Sequence, residues 1–147
     1  MGFLENLKSM SQQLNAKKSQ LMTREFAHGA MAICALIAAA DGSIDAREKE
    51  KTLELITTNE ALSIFDPAEL KEMFDGYVSR LETNYDLGKI EVVKVISKLT
   101  GKPEKARAMI QLGIVIGGAD GIFDPYERAA VRNACNAVGI APGEFGL

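Results

Sequence analysis

The sequence predicts an all-α fold, a single compact multihelical domain of about seven helices in two pseudo-repeated halves. Three observations predict it. Apolar residues recur at steps of three and four almost throughout the chain, the spacing that places side chains on one helix face. Capping and helix-breaking residues, chiefly Asp, Pro and Gly, divide those runs at helix-length intervals. An acidic turn occurs twice, 79 residues apart, each copy following an apolar run and preceding a charged helix start. No strand is expected: VVKVIS over 92–97 is rich in β-branched residues, but its length and flanks suit a helix.

Each element follows from local chemistry. Phe3, Leu7, Met10 and Leu14 form the stripe of a first amphipathic helix within residues 1–19, loosely attached because Ser9, Ser11, Gln12 and Gln13 are weak helix formers. Thr23 caps a second helix running to about Asp41, and a third runs from Asp45 to about Thr58. Phe65-Asp66-Pro67 opens a fourth, with Leu70, Phe74, Tyr77 or Val78, and Leu81 inward. Asp86 starts a fifth, with Ile90, Val93 and Ile96 or Val95 inward and Gly101 at its stop. Pro103 suits the first turn of a sixth, ending near Ala119. Its glycines 113, 117 and 118 permit close approach to the second helix at Ala38-Ala39-Ala40. Asp124-Pro125 opens a seventh, with Val131, Ala134, Cys135 and Val138 buried and Gly139 closing it. The APGEFGL tail is a final turn. The midpoint of the duplication falls between Thr83 and Asp86, inside one domain over 1–147.

Composition excludes several functions. The chain has 147 residues, 47% apolar and 25% charged, which is globular composition. Its net charge of −3 argues against a nucleic-acid binder, which needs basic excess to neutralise phosphates. Cys34 and Cys135 are too far apart for a zinc pair or a disulfide framework, and one histidine, His28, excludes a His-rich zinc site. Both cysteines sit on apolar faces and are expected to be inert; His28 is expected to be ordinary packing or surface. The longest apolar run, Ala30–Ala40, is too short to cross a bilayer. Glu5 and Lys8 interrupt any signal-peptide core. A cytoplasmic protein with reduced thiols is expected. The first helix carries Glu5, Lys8, Lys17 and Lys18 on its polar face, without the cationic excess of an interfacial helix, so its stripe is expected to dock on the domain or a partner rather than on lipid. No nucleophile–base pair is visible. Thr100-Gly101-Lys102 fails as a phosphate loop, because Ile96 stands where a glycine is needed and Pro103 follows the lysine. The chain is not expected to be an enzyme.

The repeat carries the functional reading. Ala40-Asp41-Gly42-Ser43-Ile44-Asp45-Ala46-Arg47-Glu48 aligns without gaps to Ala119-Asp120-Gly121-Ile122-Phe123-Asp124-Pro125-Tyr126-Glu127. Much of the pattern is local structure. Gly42 and Gly121 suit the left-handed turn past a helix. Asp45 and Asp124 are N-caps, and Glu48 and Glu127 complete capping boxes. Asp66 with Glu69 opens a helix in the same way, with Phe65 and Leu70 as a hydrophobic staple, yet no Asp-Gly precedes it. Asp41 and Asp120 are therefore surplus to capping. They face the negative end of a helix dipole, which costs about 0.3–1 kcal/mol each. Asx-turn bonding or a bound cation offsets that cost. Every donor in the set Asp41, Asp45, Glu48, Asp120, Asp124 and Glu127 is an oxygen, which suits Ca²⁺ or Mg²⁺. The spacing is not an EF-hand: Ala46 occupies the obligatory glycine position and Thr52 the closing glutamate position. Two loops lying side by side would pool all six carboxylates. The alternative is a metal-free structural protein-interaction domain whose turns are caps alone.

ADGSIDAREKE and ADGIFDPYERAAV, with the closing Val138-Gly139-Ile140 and Gly143-Glu144-Phe145, resemble the TerB tellurite-resistance family over roughly residues 20–147. The resemblance implies a compact all-helical fold and a non-enzymatic, cytoplasmic stress-response role. It implies a protein partner, with an integral membrane protein of the TerC type and calcium-binding TerD-type proteins in related systems, and recruitment to the inner face of the membrane. It also implies that the acidic turns are metal-binding positions, which fall on Asp41, Asp45, Glu48, Asp120, Asp124 and Glu127.

Overall fold

One helix lies at the centre of the structure, a computed structural model that describes residues 22–119, 121 and 123–147. This helix, α1 (Arg24–Ala38), is capped by Thr23, whose Oγ1 accepts the Phe26 N–H at 3.2 Å. It is buried on nearly all sides from Phe26 to Ile37, with His28 half-exposed. Its run of Ala and Gly between Phe26, Ile33 and Leu36 lets neighbours pack around the whole circumference, as in other helices that are apolar all round.

Five more helices follow: α2 (Ala46–Thr58), α3 (Pro67–Thr83), α4 (Tyr85–Ser97), α5 (Pro103–Gly117) and α6 (Pro125–Val138). Single 3₁₀ turns lie over Glu60–Leu62 and Pro142–Phe145. The fold is all helical, with six α-helices and no strand among the described residues. The expected first helix and its Phe3–Leu14 stripe lie outside them.

The packing of α5 on α1 sets the architecture. A Cβ placed on Gly29 would lie 3.1 Å from Met109 Sδ, one on Gly113 would lie 3.0 Å from Ile33, and one on Gly117 would lie 2.7 Å from Ile37. The pairs 29/109, 33/113 and 37/117 climb together, so α1 and α5 run in the same direction, with glycines at the points of closest approach. Their C-terminal ends lie side by side. The close approach expected from Gly113 and Gly117 is present, against Ile33 and Ile37 rather than Ala38-Ala39-Ala40.

The hairpin of α3 and α4 packs across α1. Asn84 serves both helices: its N–H bonds back to the Arg80 carbonyl, and its Oδ1 accepts the Leu87 N–H at 3.1 Å. Gly88 sits directly against the α3 backbone. A Cβ there would collide with the Arg80 carbonyl and lie 2.9 Å from Leu81 N. The four inward positions expected of α3 are buried, with both Tyr77 and Val78 inside, and so are the four expected of α6.

The expectation for α4 is corrected. Ile90 is 66% exposed and Val93 is half-buried, whereas Gly88, Val92, Ile96 and the following Leu99 face the core. Apolar residues at 90, 92, 93, 95 and 96 supply two candidate faces, and contact at Gly88 selects the one that turns Val92 inward. Two helix ends also come earlier than expected. α1 stops at Ala38 because Ala40 N–H bonds to the Ile37 carbonyl and tightens the last turn. α5 stops at Gly117 in the same way. Gly101 and Gly139 both adopt the left-handed geometry expected of a stop. The tail turn carries Phe145 into the core, and Glu144 accepts two hydrogen bonds from Arg107, at 2.9 and 3.1 Å. Among the described residues no helix is long and apolar enough to cross a membrane.

The two glycines of the hairpin are expected to respond oppositely to a methyl group. Gly88→Ala should destabilise by about 1–3 kcal/mol or more, because rigid backbone blocks the new atom. Gly76→Ala, on α3 with nothing within 4 Å of its Cβ position, should stabilise by about 0.8–1 kcal/mol through helix propensity. Urea unfolding midpoints of the two variants check both signs.

Candidate functional site

The two acidic turns match in backbone at their bend glycines and caps. Gly42 N–H bonds to the Ala39 carbonyl at 2.9 Å, and Gly121 N–H bonds to the Gly118 carbonyl at 2.9 Å. The bend glycines have φ +94° and +81°, in the left-handed region where a side chain is strained. The caps that follow match as well, with Asp45 at φ −84°, ψ 166° and Asp124 at φ −74°, ψ 169°. The repeat seen in the sequence is therefore a repeated chain path: helix, left-handed bend, extended cap, helix.

Hydrogen bonding separates the carboxylates by role. Asp45 accepts the Glu48 N–H at 2.7 Å, and Asp124 accepts the Glu127 N–H at 2.8 Å. Glu127 reaches back to the Asp124 N–H at 3.0 Å and completes a capping box. Two capping boxes are expected from the sequence; the first turn forms only half of one, and Glu48 is left exposed. Asp41 makes an Asx turn, its Oδ1 accepting the Ser43 N–H at 3.1 Å and the Ser43 hydroxyl at 3.4 Å. Local bonding thus offsets part of the unfavourable dipole contact at Asp41. The second turn is braced by Arg128, whose Nε donates to the Phe123 carbonyl at 3.1 Å.

Because α1 and α5 end together, the turns face one another across a cavity of about 290 Å³. Asp41 and Glu48 line it from the first turn, and Asp124 and Glu127 from the second. Asp45 is exposed and is not part of the lining. Asp120 lies outside the described residues. The floor is apolar, built by Ile37, Leu55 and Ile116 with Cys34 beneath. Lys51 and Thr52 also line it. Sequence reasoning found Glu48 on α2 but missed Lys51, Thr52 and Leu55 on the same helix. The signal was present, since positions 48, 51, 52 and 55 share one helical face.

The donor chemistry fits a hard cation, and the spacing limits how it can be held. Among the described residues no three His, Cys, Asp or Glu side chains converge closely enough to chelate an ion directly. The lining residues suit an ion that keeps several waters and touches one or two carboxylates, the usual mode for Mg²⁺. The acidic field reaches beyond the cavity: burial raises the Tyr85 phenol first, and the charges of Asp41 and Asp86 raise it further.

Neither cysteine is placed for chemistry. Burial pushes the Cys34 thiol up to about 12, and burial with the nearby Glu144 charge pushes Cys135 up to about 11. His28 has more structure around it than the sequence suggests. Its Nδ1 lies 2.7 Å from the Tyr77 hydroxyl, and the Arg80 guanidinium sits 5.2 Å from the centre of the Tyr77 ring. Partial burial lowers the imidazole pKa, and the charges of Arg24, Lys98 and Arg80 lower it further.

A family model described as Tellurite resistance protein TerB matches residues 27–147. A Tellurium resistance protein TerB from an Alcaligenes species is 30% identical over 118 residues, covering 78% of this chain and 97% of that protein. No solved structure gives a significant match.

Two outcomes follow for the titratable groups. The folded protein holds the His28 pKa below the unfolded value, so the unfolded chain binds the proton more readily. Stability from this group is present in full above the ordinary histidine value of 6.5 and is lost as pH falls through the folded value. Urea midpoints recorded from pH 7.5 to 5 should decline, and His28→Gln should flatten that part of the slope. Thiol alkylation at pH 8 should leave Cys34 and Cys135 unmodified in the native protein and proceed in urea, as mass spectrometry will record.

Proposed function

The chain belongs to the TerB family of tellurite-resistance proteins, and from that footing we propose that it acts as a non-enzymatic cation-binding component of a cytoplasmic stress response. The site is the cavity between the paired turns. The observation that carries this reading is the meeting of Asp41 and Glu48 with Asp124 and Glu127 around one cavity, although the two turns that supply them repeat 79 residues apart in the chain. Asp45 and Asp124 are engaged as caps. Asp41 and Glu48 have carboxylate oxygens to spare. The ligand is a divalent cation, Mg²⁺ or Ca²⁺, held with part of its water shell and linking the two turns.

A second reading rests on the cavity floor. Ile37, Leu55 and Ile116 offer apolar surface beneath an acidic rim, which suits the methylene stem and charged head of a lysine or arginine. On that reading the turns receive a basic side chain from a protein partner, such as a membrane-embedded protein of the TerC type.

A metal titration followed by NMR tests the first reading. Mg²⁺ or Ca²⁺ should shift the amide signals of Gly42 and Gly121 together and raise the unfolding temperature. At a free-ion concentration about a hundredfold above the dissociation constant, the stabilisation should be about 2.7 kcal/mol. Asp41→Asn with Glu48→Gln keeps the Asx turn and the Asp45 cap, and should abolish both responses without unfolding the protein. Unchanged spectra in millimolar metal would exclude the cation. A shift of the same two amides on adding a lysine-rich peptide would then favour the partner.

A further inference from the structure

The cavity between the paired turns carries a cation of its own. Four carboxylates line it, on Asp41, Glu48, Asp124 and Glu127, and Lys51 is the one basic side chain among the described lining residues. Lys51 sits on α2 one turn after Glu48 and one turn before Leu55. Its stem is therefore rooted between the acidic rim and the apolar floor. The side chain is exposed, and it forms no ion pair with the described residues.

Other basic side chains of this region are committed elsewhere. Lys49, two residues earlier on α2, reaches Asp75 on α3 at 3.7 Å. Arg128 on α6 donates to the Phe123 carbonyl at 3.1 Å. Residues three or four apart on a helix are neighbours, and on α3 such neighbours, Lys71 and Asp75, close to 2.7 Å. Glu48 and Lys51 are neighbours in the same sense and form no such pair. Lys51 is thus an uncommitted charge on the wall of an acidic cavity.

Resting on the cation reading of this cavity, we propose that Lys51 is its resident counter-ion, a tethered charge that an incoming cation must displace and that sets how tightly the site binds. Electrostatics fixes the direction of the effect. With the cavity empty, one positive charge beside several negative ones offsets part of their mutual repulsion. With a divalent ion in place, the ion repels that same charge, and the two compete for carboxylate oxygens. Lys51 therefore stabilises the unoccupied state and opposes the occupied one. Its ammonium rides on a flexible four-carbon stem, so it can yield to the ion without any movement of α2. Affinity is held below what the carboxylates alone would give, and the charge at position 51 is the control on it.

The test titrates Mg²⁺, then Ca²⁺, into the full chain and follows the Gly42 and Gly121 amide signals. Lys51→Gln and Lys51→Met remove the charge, and each should lower the dissociation constant about tenfold, the order expected for removing a unit charge near a divalent ion in a largely aqueous site. Lys51→Arg keeps the charge and should stay within about twofold of the unsubstituted chain. Arg47→Gln makes the same change in net charge at an exposed α2 position outside the cavity lining, and it too should stay within about twofold. Adding Asp41→Asn and Glu48→Gln to Lys51→Gln should abolish the response. Equal affinities for Lys51→Gln and Arg47→Gln, in a chain that binds the ion, would overturn the counter-ion and leave the cation reading standing. Tightening by Lys51→Met alone would also overturn it, since the gain would then come from apolar packing on the floor. No shift in any of these chains at millimolar metal would overturn both readings.

Discussion

The parallel contact between α1 and α5 is the constraint on which the rest of the molecule depends. It requires Gly113 and Gly117, because Ile33 and Ile37 occupy the space that any side chain would need. Parallel packing of two helices far apart in sequence requires a long return path, which the α3–α4 hairpin provides while covering α1. The same contact brings two chain reversals to one end of the protein. Without it the duplicated turns would be two unrelated loops; with it they are opposite walls of one cavity.

Four helix ends meet at that cavity, and their dipoles sort the carboxylates. Asp45 and Asp124 stand at the positive starts of α2 and α6 and bond to amides there, which accounts for them as structure. Glu127 joins them through its capping box. Asp41 stands past the negative end of α1, where capping gives no reason for an acid, and the Asx turn to Ser43 stabilises it only in part. The fold therefore explains three of the carboxylates by itself. Its claim on Asp41 and Glu48 is weaker, and those two are the carboxylates that the proposed function employs.

Much of this was legible in the sequence. Thr23, Asp45, Asp66 and Asp124 each cap the helix they announce, because a short oxygen-bearing side chain before an apolar run has few other uses. The repeat was legible because Asp-Gly bends followed by caps are strict about spacing. The orientation of α4 was not. Ile90, Val92, Val93, Val95 and Ile96 satisfy two helical faces equally, and only the backbone contact at Gly88 separates them. The cavity floor was hidden for a related reason. Leu55 and Ile116 read as ordinary core residues, and nothing local reveals that the rim above them is open. The half-formed cap at Glu48 was also out of reach, since both copies carry the same Asp and Glu three residues apart.

The in-register contact of α1 and α5 couples the interior to the surface. Helices locked at three successive glycine contacts cannot slide a little; the next allowed seating is a full turn away, about 5.4 Å along the axis. The distance between the two acidic walls is therefore quantised by buried hydrocarbon rather than tuned by the loops. Gradual drift in loop composition would alter how strongly the cavity attracts, whereas a change in its span would demand a new core.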